Sequence, residues 1–267
     1  MGFVYEALKK AQQEGKIAAP RPLLDMDQPK VALTPYQLPS EVIKEFSMLK
    51  EKIQQAHAQH GTQLIAITSA LPREGRTTIS FFLALMLSQS LNGYHSKAGK
   101  RFFQSEPRPK DKSTVLLIDG NLERPMLHRL FNVSLSPGIT DFFFNAQSNT
   151  IFTRALAAGQ LYLITAGSQY PNSHDIWASG GIADLLARLK ENFSYILIDA
   201  PAVLDHPGTL SLSRLADGVL FMVKANQTRL EVIDEAKLRL QDAGAKLLGV
   251  VLNERRFFIP EGIYKRI

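Results

Sequence analysis

The rhythm of apolar positions changes near residue 62. Before it, they recur at helical spacing in two stretches. Val4, Leu8 and Ala11 share one face of a predicted helix over residues 3–16, with Lys9, Lys10 and Glu14 opposite. Val42, Ile43, Phe46, Leu49 and Ile53 mark a second helix that opens at Ser40 and Glu41 and runs to about His57. Between the two, residues 18–40 hold five prolines, at 20, 22, 29, 35 and 39, which exclude a regular helix and predict an extended tether. After residue 62 short unbroken apolar runs take over, at 64–68, 114–119, 162–165, 195–199, 218–223 and 247–252. Runs of this length, rich in β-branched residues, suit strands covered on both faces of a parallel sheet. Helical patterns at 77–90, 125–130, 181–192 and 230–243 lie between them. The alternation predicts an α/β, doubly wound, mostly parallel sheet with helices on both faces over residues 41–255. An N-terminal amphipathic helix (1–17) and a Pro-rich linker (18–40) precede it, and a short tail (256–267) follows.

Composition narrows this picture in two ways. The chain has 267 residues, 45% of them hydrophobic, which is enough for a sizeable core. It has no cysteine, which excludes a disulfide scaffold, thiolate-ligated metal and a thiol nucleophile. No apolar run reaches the ~18–20 residues that span a bilayer, and the N-terminus lacks the features of a secretory signal, so a cytoplasmic location is expected. The net charge is +6. Lys97, Lys100, Arg101, Arg108, Lys110 and Lys112 stand against only Glu106 and Asp111 in the segment 94–112, which reads as a solvated basic loop or a surface for nucleic acid, anionic lipid or an acidic partner.

The chemistry-bearing residues gather at predicted strand ends, where doubly wound sheets bind ligands. The first strand leads into Arg73, Glu74, Gly75, Arg76, Thr77 and Thr78 and then a helix. A strand, a tight glycine turn and a helix start cradle phosphate through free amides, and a Thr hydroxyl there can ligate Mg²⁺. Asp119 and Asp199 end two further apolar strands and supply the hard oxygen ligands that Mg²⁺ prefers. The plain alternative is a strand–turn–helix with two capping aspartates. The three elements together, in this order, favour phosphate binding of the nucleotide type.

The series ITSALPREGRTT, VLLIDGNLERPMLHRLF, YILIDAPAVL, LADGVLFMVKANQTRLEVIDEA and AGAKLLGVVLN resembles the bacterial tyrosine kinases of capsule and exopolysaccharide export. These are deviant P-loop ATPases, a group that also holds chromosome-partitioning and division-site-placing proteins. The opening VYEALKKAQ is similar to the start of their stand-alone members. The resemblance implies that residues 73–78 form the Walker A loop and that Asp119 with Asn121 forms the Walker A′ motif, which carries the catalytic carboxylates. It further implies that Asp199 is the Walker B aspartate and that Asn253 stands where related ATPases read adenine. ATP and Mg²⁺ are the implied cofactors if the site functions, with Thr77, Asp119 and Asp199 around the metal. An inner-membrane polysaccharide co-polymerase, or another secretion-complex subunit, is the implied partner. It would recruit the chain peripherally to the inner membrane; a homo-oligomer is also compatible, and nucleic acid is disfavoured.

The chain departs from the family pattern at positions that matter. The family loop reads Pro-Gly-Glu-Gly-Lys-Thr, whereas this one reads Pro72-Arg73-Glu74-Gly75-Arg76-Thr77. Arg73 removes a glycine that permits open φ values, and Arg76 replaces a compact ammonium with a planar fork on a longer stem. Asn121 keeps a neutral carbonyl where a second Walker A′ carboxylate is expected. Lys44, Ser47 and Lys50 occupy the places of a ring-assembly Glu-x-x-Arg-x-x-Arg motif, and the tail has the single Tyr264 instead of a tyrosine cluster. These departures together favour a catalytically weakened, kinase-like regulatory or scaffold subunit. The alternatives are an active ATP-dependent tyrosine autokinase and a partitioning-type ATPase that binds DNA or membrane.

Overall fold

The computed structural model describes residues 24–25, 40–90, 114–144, 151–152, 154–156 and 160–254. The expected N-terminal helix, most of the proline-rich stretch, the basic segment 94–112 and the tail with Tyr264 lie outside the described residues. Within the proline-rich stretch, Leu24–Asp25 (β1) pairs in parallel with Ile151–Phe152 (β4), so this part of the predicted tether is extended and held by backbone bonds.

The expected strands form a sheet with an apolar core on each face. They are Leu64–Ser69 (β2), Val115–Asp119 (β3), Leu161–Ile164 (β6), Tyr195–Asp199 (β7), Gly218–Lys224 (β8) and Leu247–Asn253 (β9). Arg154–Leu156 (β5) adds an antiparallel edge, and the sheet order is β5-β6-β3-β7-β2-β8-β9 with every other pairing parallel. Side chains alternate across the sheet as the pleat requires. Leu64, Ala66, Leu116, Ile118, Ile196 and Ile198 join one core, and Ile65, Ile67, Val115, Leu117, Tyr195 and Leu197 join the other. That two-sided burial is why these strands read as continuous apolar runs.

The second core is covered by Ser40–His60 (α1), Arg76–Ser90 (α2) and the short Leu127–Leu130 (α3). From these, Phe46, Ile53, Phe81, Leu83, Leu87 and Leu127 pack against the sheet. The first core is covered by Ile139–Phe144 (α4), Gly180–Lys190 (α5), Gly208–Leu215 (α6), Leu230–Asp242 (α7) and a 3₁₀ turn at Ser173–Ala178. Trp177 fills it almost without exposure. The doubly wound expectation therefore holds. α4, α6, β4 and β5 had no counterpart in the apolar pattern. No described helix is long and apolar enough to cross a membrane.

Candidate functional site

β2, β3 and β7 lie together in the sheet, so their carboxyl ends meet. Beyond Ser69 the chain turns through Ala70–Gly75 and enters α2 at Arg76. Two residues of this turn are left-handed, Arg73 at φ 66° and Gly75 at φ 89°. Arg73 thus occupies a backbone conformation that glycine adopts freely and a Cβ resists. The amide of Ile79 makes the first helical bond, to the Gly75 carbonyl at 3.0 Å. The amides of the preceding turn consequently have no carbonyl behind them within the helix.

Glu74 fixes the shape of the turn. It is only 2% exposed, although it is charged and on a loop. Its Oε2 accepts from the Leu71 amide (2.9 Å), and its Oε1 accepts from the Lys224 amide (3.3 Å) and the Thr228 hydroxyl. Asn253, from the end of β9, donates its Nδ2 to the Glu74 carbonyl at 3.0 Å. That amide also fills the place of a Gly75 side chain, since a Cβ there would lie 2.0 Å from Nδ2. Glu74 and Asn253, both expected to contact nucleotide, are here the clamp that ties the loop to β8 and β9.

The two aspartates sit side by side. Asp119 and Asp199 are register partners in β3 and β7, and both are fully buried. Gly120, which donates its amide to the Asp199 carbonyl at 3.0 Å, lets the strand ends close, because a Cβ there would meet Ile198 at 2.7 Å. Asp119 Oδ2 accepts from the amides of Met126 (3.0 Å) and Leu127 (2.9 Å), and Oδ1 from that of Asn121 (3.3 Å). Asp199 accepts from the hydroxyls of Thr77 and, at 3.4 Å, Ser80. Burial and then the neighbouring Asp199 charge push the Asp119 carboxyl up to about 8 against its three amide donors. Burial pushes Asp199 up to about 6, opposed by Thr77, Arg76 and Ser80.

Arg76 turns inward. It is 9% exposed, and its Nη1 is buried without a hydrogen-bond partner. Burial draws its pKa down, and the charges of Asp199, Glu74 and Asp205 oppose that. An orphaned buried donor beside free helix amides fits an oxyanion such as a phosphate. The adjoining aspartates with Thr77 fit a hard cation.

The remaining expected residues are less central. Arg73 and Thr78 are exposed, and the Asn121 carbonyl oxygen accepts from the Arg124 amide at 3.2 Å. Sequence reasoning missed Ser80 and Asp205. Ser80 stands one helical turn beyond Arg76, which is the signal that could have found it; Asp205 had no such signal.

No family model matches the chain. It is similar to tyrosine-protein kinase YwqD of Bacillus subtilis, 26% identical over 227 residues that make up 85% of this chain and 86% of that protein. It is also similar to tyrosine-protein kinase ptk of Acinetobacter johnsonii (27% identical over 79% of this chain) and to the succinoglycan biosynthesis transport protein ExoP of Rhizobium meliloti (26% over 80%). The chain spans only about a quarter of each of these two, 26% and 25% respectively. Among solved structures, the VpsO kinase domain superposes with a TM-score of 0.62 at 27% identity, covering 81% of this chain and 98% of that one.

Proposed function

Since this chain is a relative of the bacterial tyrosine kinases by sequence and by fold, we propose that it is a phosphotransfer-impaired regulatory or scaffold subunit of exopolysaccharide or capsule export. Its similarity to the transport protein ExoP supports the polysaccharide setting. The partner we propose is a membrane-embedded polysaccharide co-polymerase, which would hold the chain at the cytoplasmic face of the inner membrane.

The observation that carries the impaired reading is the state of the Walker A′ position. Asn121 offers no carboxylate, and its carbonyl oxygen is committed to the Arg124 amide. The Asp119 carboxyl beside it already accepts three amides. A kinase needs a base within hydrogen-bond reach of the acceptor hydroxyl, and this corner has lost one of the two that the family supplies. Bound nucleotide would rest its phosphates on residues 73–78, and Mg²⁺ would lie against Thr77, Asp119 and Asp199. The metal would supply charge neutralisation between phosphates. Arg76 contributes charge but not the compact point contact of a lysine, so MgATP is held weakly.

Purified chain incubated with MgATP should yield no phosphotyrosine by antibody and mass spectrometry. The triple change Arg73→Gly, Arg76→Lys and Asn121→Asp should raise transfer to an added tyrosine peptide at least about tenfold, a typical contribution of a positioned base and phosphate cation. Robust autophosphorylation of the unaltered chain would replace this reading with the active kinase.

A further inference from the structure

The hydrogen-bond inventory of this site is lopsided. Every buried carboxylate in it has donors already. Asp119 takes three amides, Asp199 takes two hydroxyls, and Glu74 takes two amides and the Thr228 hydroxyl. The unmet demand lies on the other side. Arg76 is nine-tenths buried with Nη1 lacking an acceptor, and it stands as the first residue of a 15-residue helix whose opening amides have no helical partner. A buried guanidinium donor without an acceptor is costly, and a phosphate oxygen is the acceptor whose geometry matches its planar fork. A divalent cation asks for the opposite, namely acceptors; it could share the remaining acceptor sites of Asp119, Asp199 and Thr77, but it would stand against the Arg76 charge that already lies beside Asp199. Among the described residues no three His, Asp or Glu side chains cluster as a cation cage.

We propose that loop 73–78 of this chain seats the diphosphate group of a ligand without a divalent cation, because Arg76 supplies beside Asp199 the positive charge that Mg²⁺ would bring. The inference rests on the nucleotide-binding reading above and specifies the ligand state that the altered loop selects. The same substitution that weakens the grip on MgATP thereby adapts the site to a metal-free diphosphate. Arg76 remains charged at any physiological pH, so the seat is permanent rather than metal-gated. The clamp of Glu74 and Asn253 holds the loop in the shape that keeps the guanidinium inside.

The test is calorimetric titration of the full chain with ADP and with pyrophosphate, each in EDTA and again in excess Mg²⁺. The expected result is an ADP affinity that agrees within about threefold between the two conditions. Arg76→Met should lose about tenfold or more in EDTA, the scale of a charge-assisted bidentate contact. Arg76→Lys should bind ADP appreciably only when Mg²⁺ is present. It carries the test by itself if circular dichroism shows that Arg76→Met does not fold. ADP tighter than pyrophosphate assigns the seat to a nucleotide, and equal binding assigns it to the diphosphate alone. Binding of ADP only in Mg²⁺, no binding of either ligand, or unchanged binding by Arg76→Met would overturn the inference. Mg²⁺-dependent ADP binding without phosphotransfer would sink this inference and leave the impaired-kinase reading standing, whereas tyrosine phosphorylation would sink that reading and leave the metal question open to the same titration.

Discussion

The two ends of the central strands treat their carboxylates in opposite ways. At the amino end, Asp217 accepts from the amides of Gln63 (2.9 Å) and Leu64 (2.8 Å) and pairs with Lys190 at 2.5 Å. Burial would raise its pKa, but the Leu64 amide, Lys190 and the Gln63 amide outweigh that and hold it below the ordinary carboxylate range. Gln63 adds bonds to the carbonyls of Lys190 (2.9 Å) and Phe193 (2.6 Å), which stitch β2 to the end of α5. At the carboxyl end, Asp119 and Asp199 face each other and both are pushed up. One end is electrostatically closed and secures the sheet. The other end keeps charge and donors in reserve, which is what a site for an incoming ligand requires.

The sharpest way to break this contrast is to remove one carboxylate at each end. Asp217→Ala should cost about 3 kcal/mol, because it strands the half-buried amides of Gln63 and Leu64 and a partly buried ammonium. Asp199→Asn should change stability by no more than about 1 kcal/mol, since relief of like-charge repulsion with Asp119 offsets weaker hydroxyl bonds and the lost attraction to Arg76. Urea unfolding of the two variants measures both, and equal losses would erase the distinction.

Acidity gives the next largest effect, with opposite signs at the two ends. The folded state holds protons on Asp119 and Asp199 that the unfolded chain has released, between an ordinary carboxylate pKa of about 3.9 and their raised values. Their contribution is present in full below about 3.9 and is lost as pH rises through about 6 for Asp199 and about 8 for Asp119. The Asp217 contribution is present above the ordinary value and is lost only as pH falls through its depressed one. Unfolding free energy should therefore fall by roughly 2 kcal/mol from about pH 6.5 to about pH 8.5, mostly through Asp119. Asp199→Asn should flatten that slope while leaving the acid limb unchanged.

Much of this was legible beforehand because both-face burial writes itself into sequence. Tyr195–Asp199 coincides with its predicted run, and the other sheet-core strands differ from theirs by a residue or so at their ends. What escaped has physical reasons. α4 is the six-residue ITDFFF, whose aromatic run carries strand propensity and no helical period. α6 is GTLSLSRL, too short and serine-rich to show one. At the site, the loop, Asp119 and Asp199 were visible as strand-end residues. The duties of Glu74 and Asn253 were not, because they are set by partners far away in sequence. The glycine requirement at position 73 was visible, and φ 66° at Arg73 bears it out.

That residue gives the smallest prediction. Arg73→Gly frees a left-handed position from its Cβ, and should stabilise the fold by about 0.5–1 kcal/mol after the added unfolded-state entropy is set against it. A modest rise in the thermal midpoint is the expected outcome. A fall would mean that the exposed Arg73 side chain makes a compensating contact.

The Glu74 clamp also fixes a time of assembly. Its partners lie 150 and 154 residues downstream at Lys224 and Thr228, and its carbonyl waits for Asn253, 179 residues away. On a ribosome the loop and its helix emerge long before any of them. Contacts of such separation close late, after the loop entropy between them has been spent. The carboxyl end of this sheet is thus completed last, when β9 docks on β8, and a nascent chain halted before residue 253 would carry the whole loop in its sequence without the finished clamp.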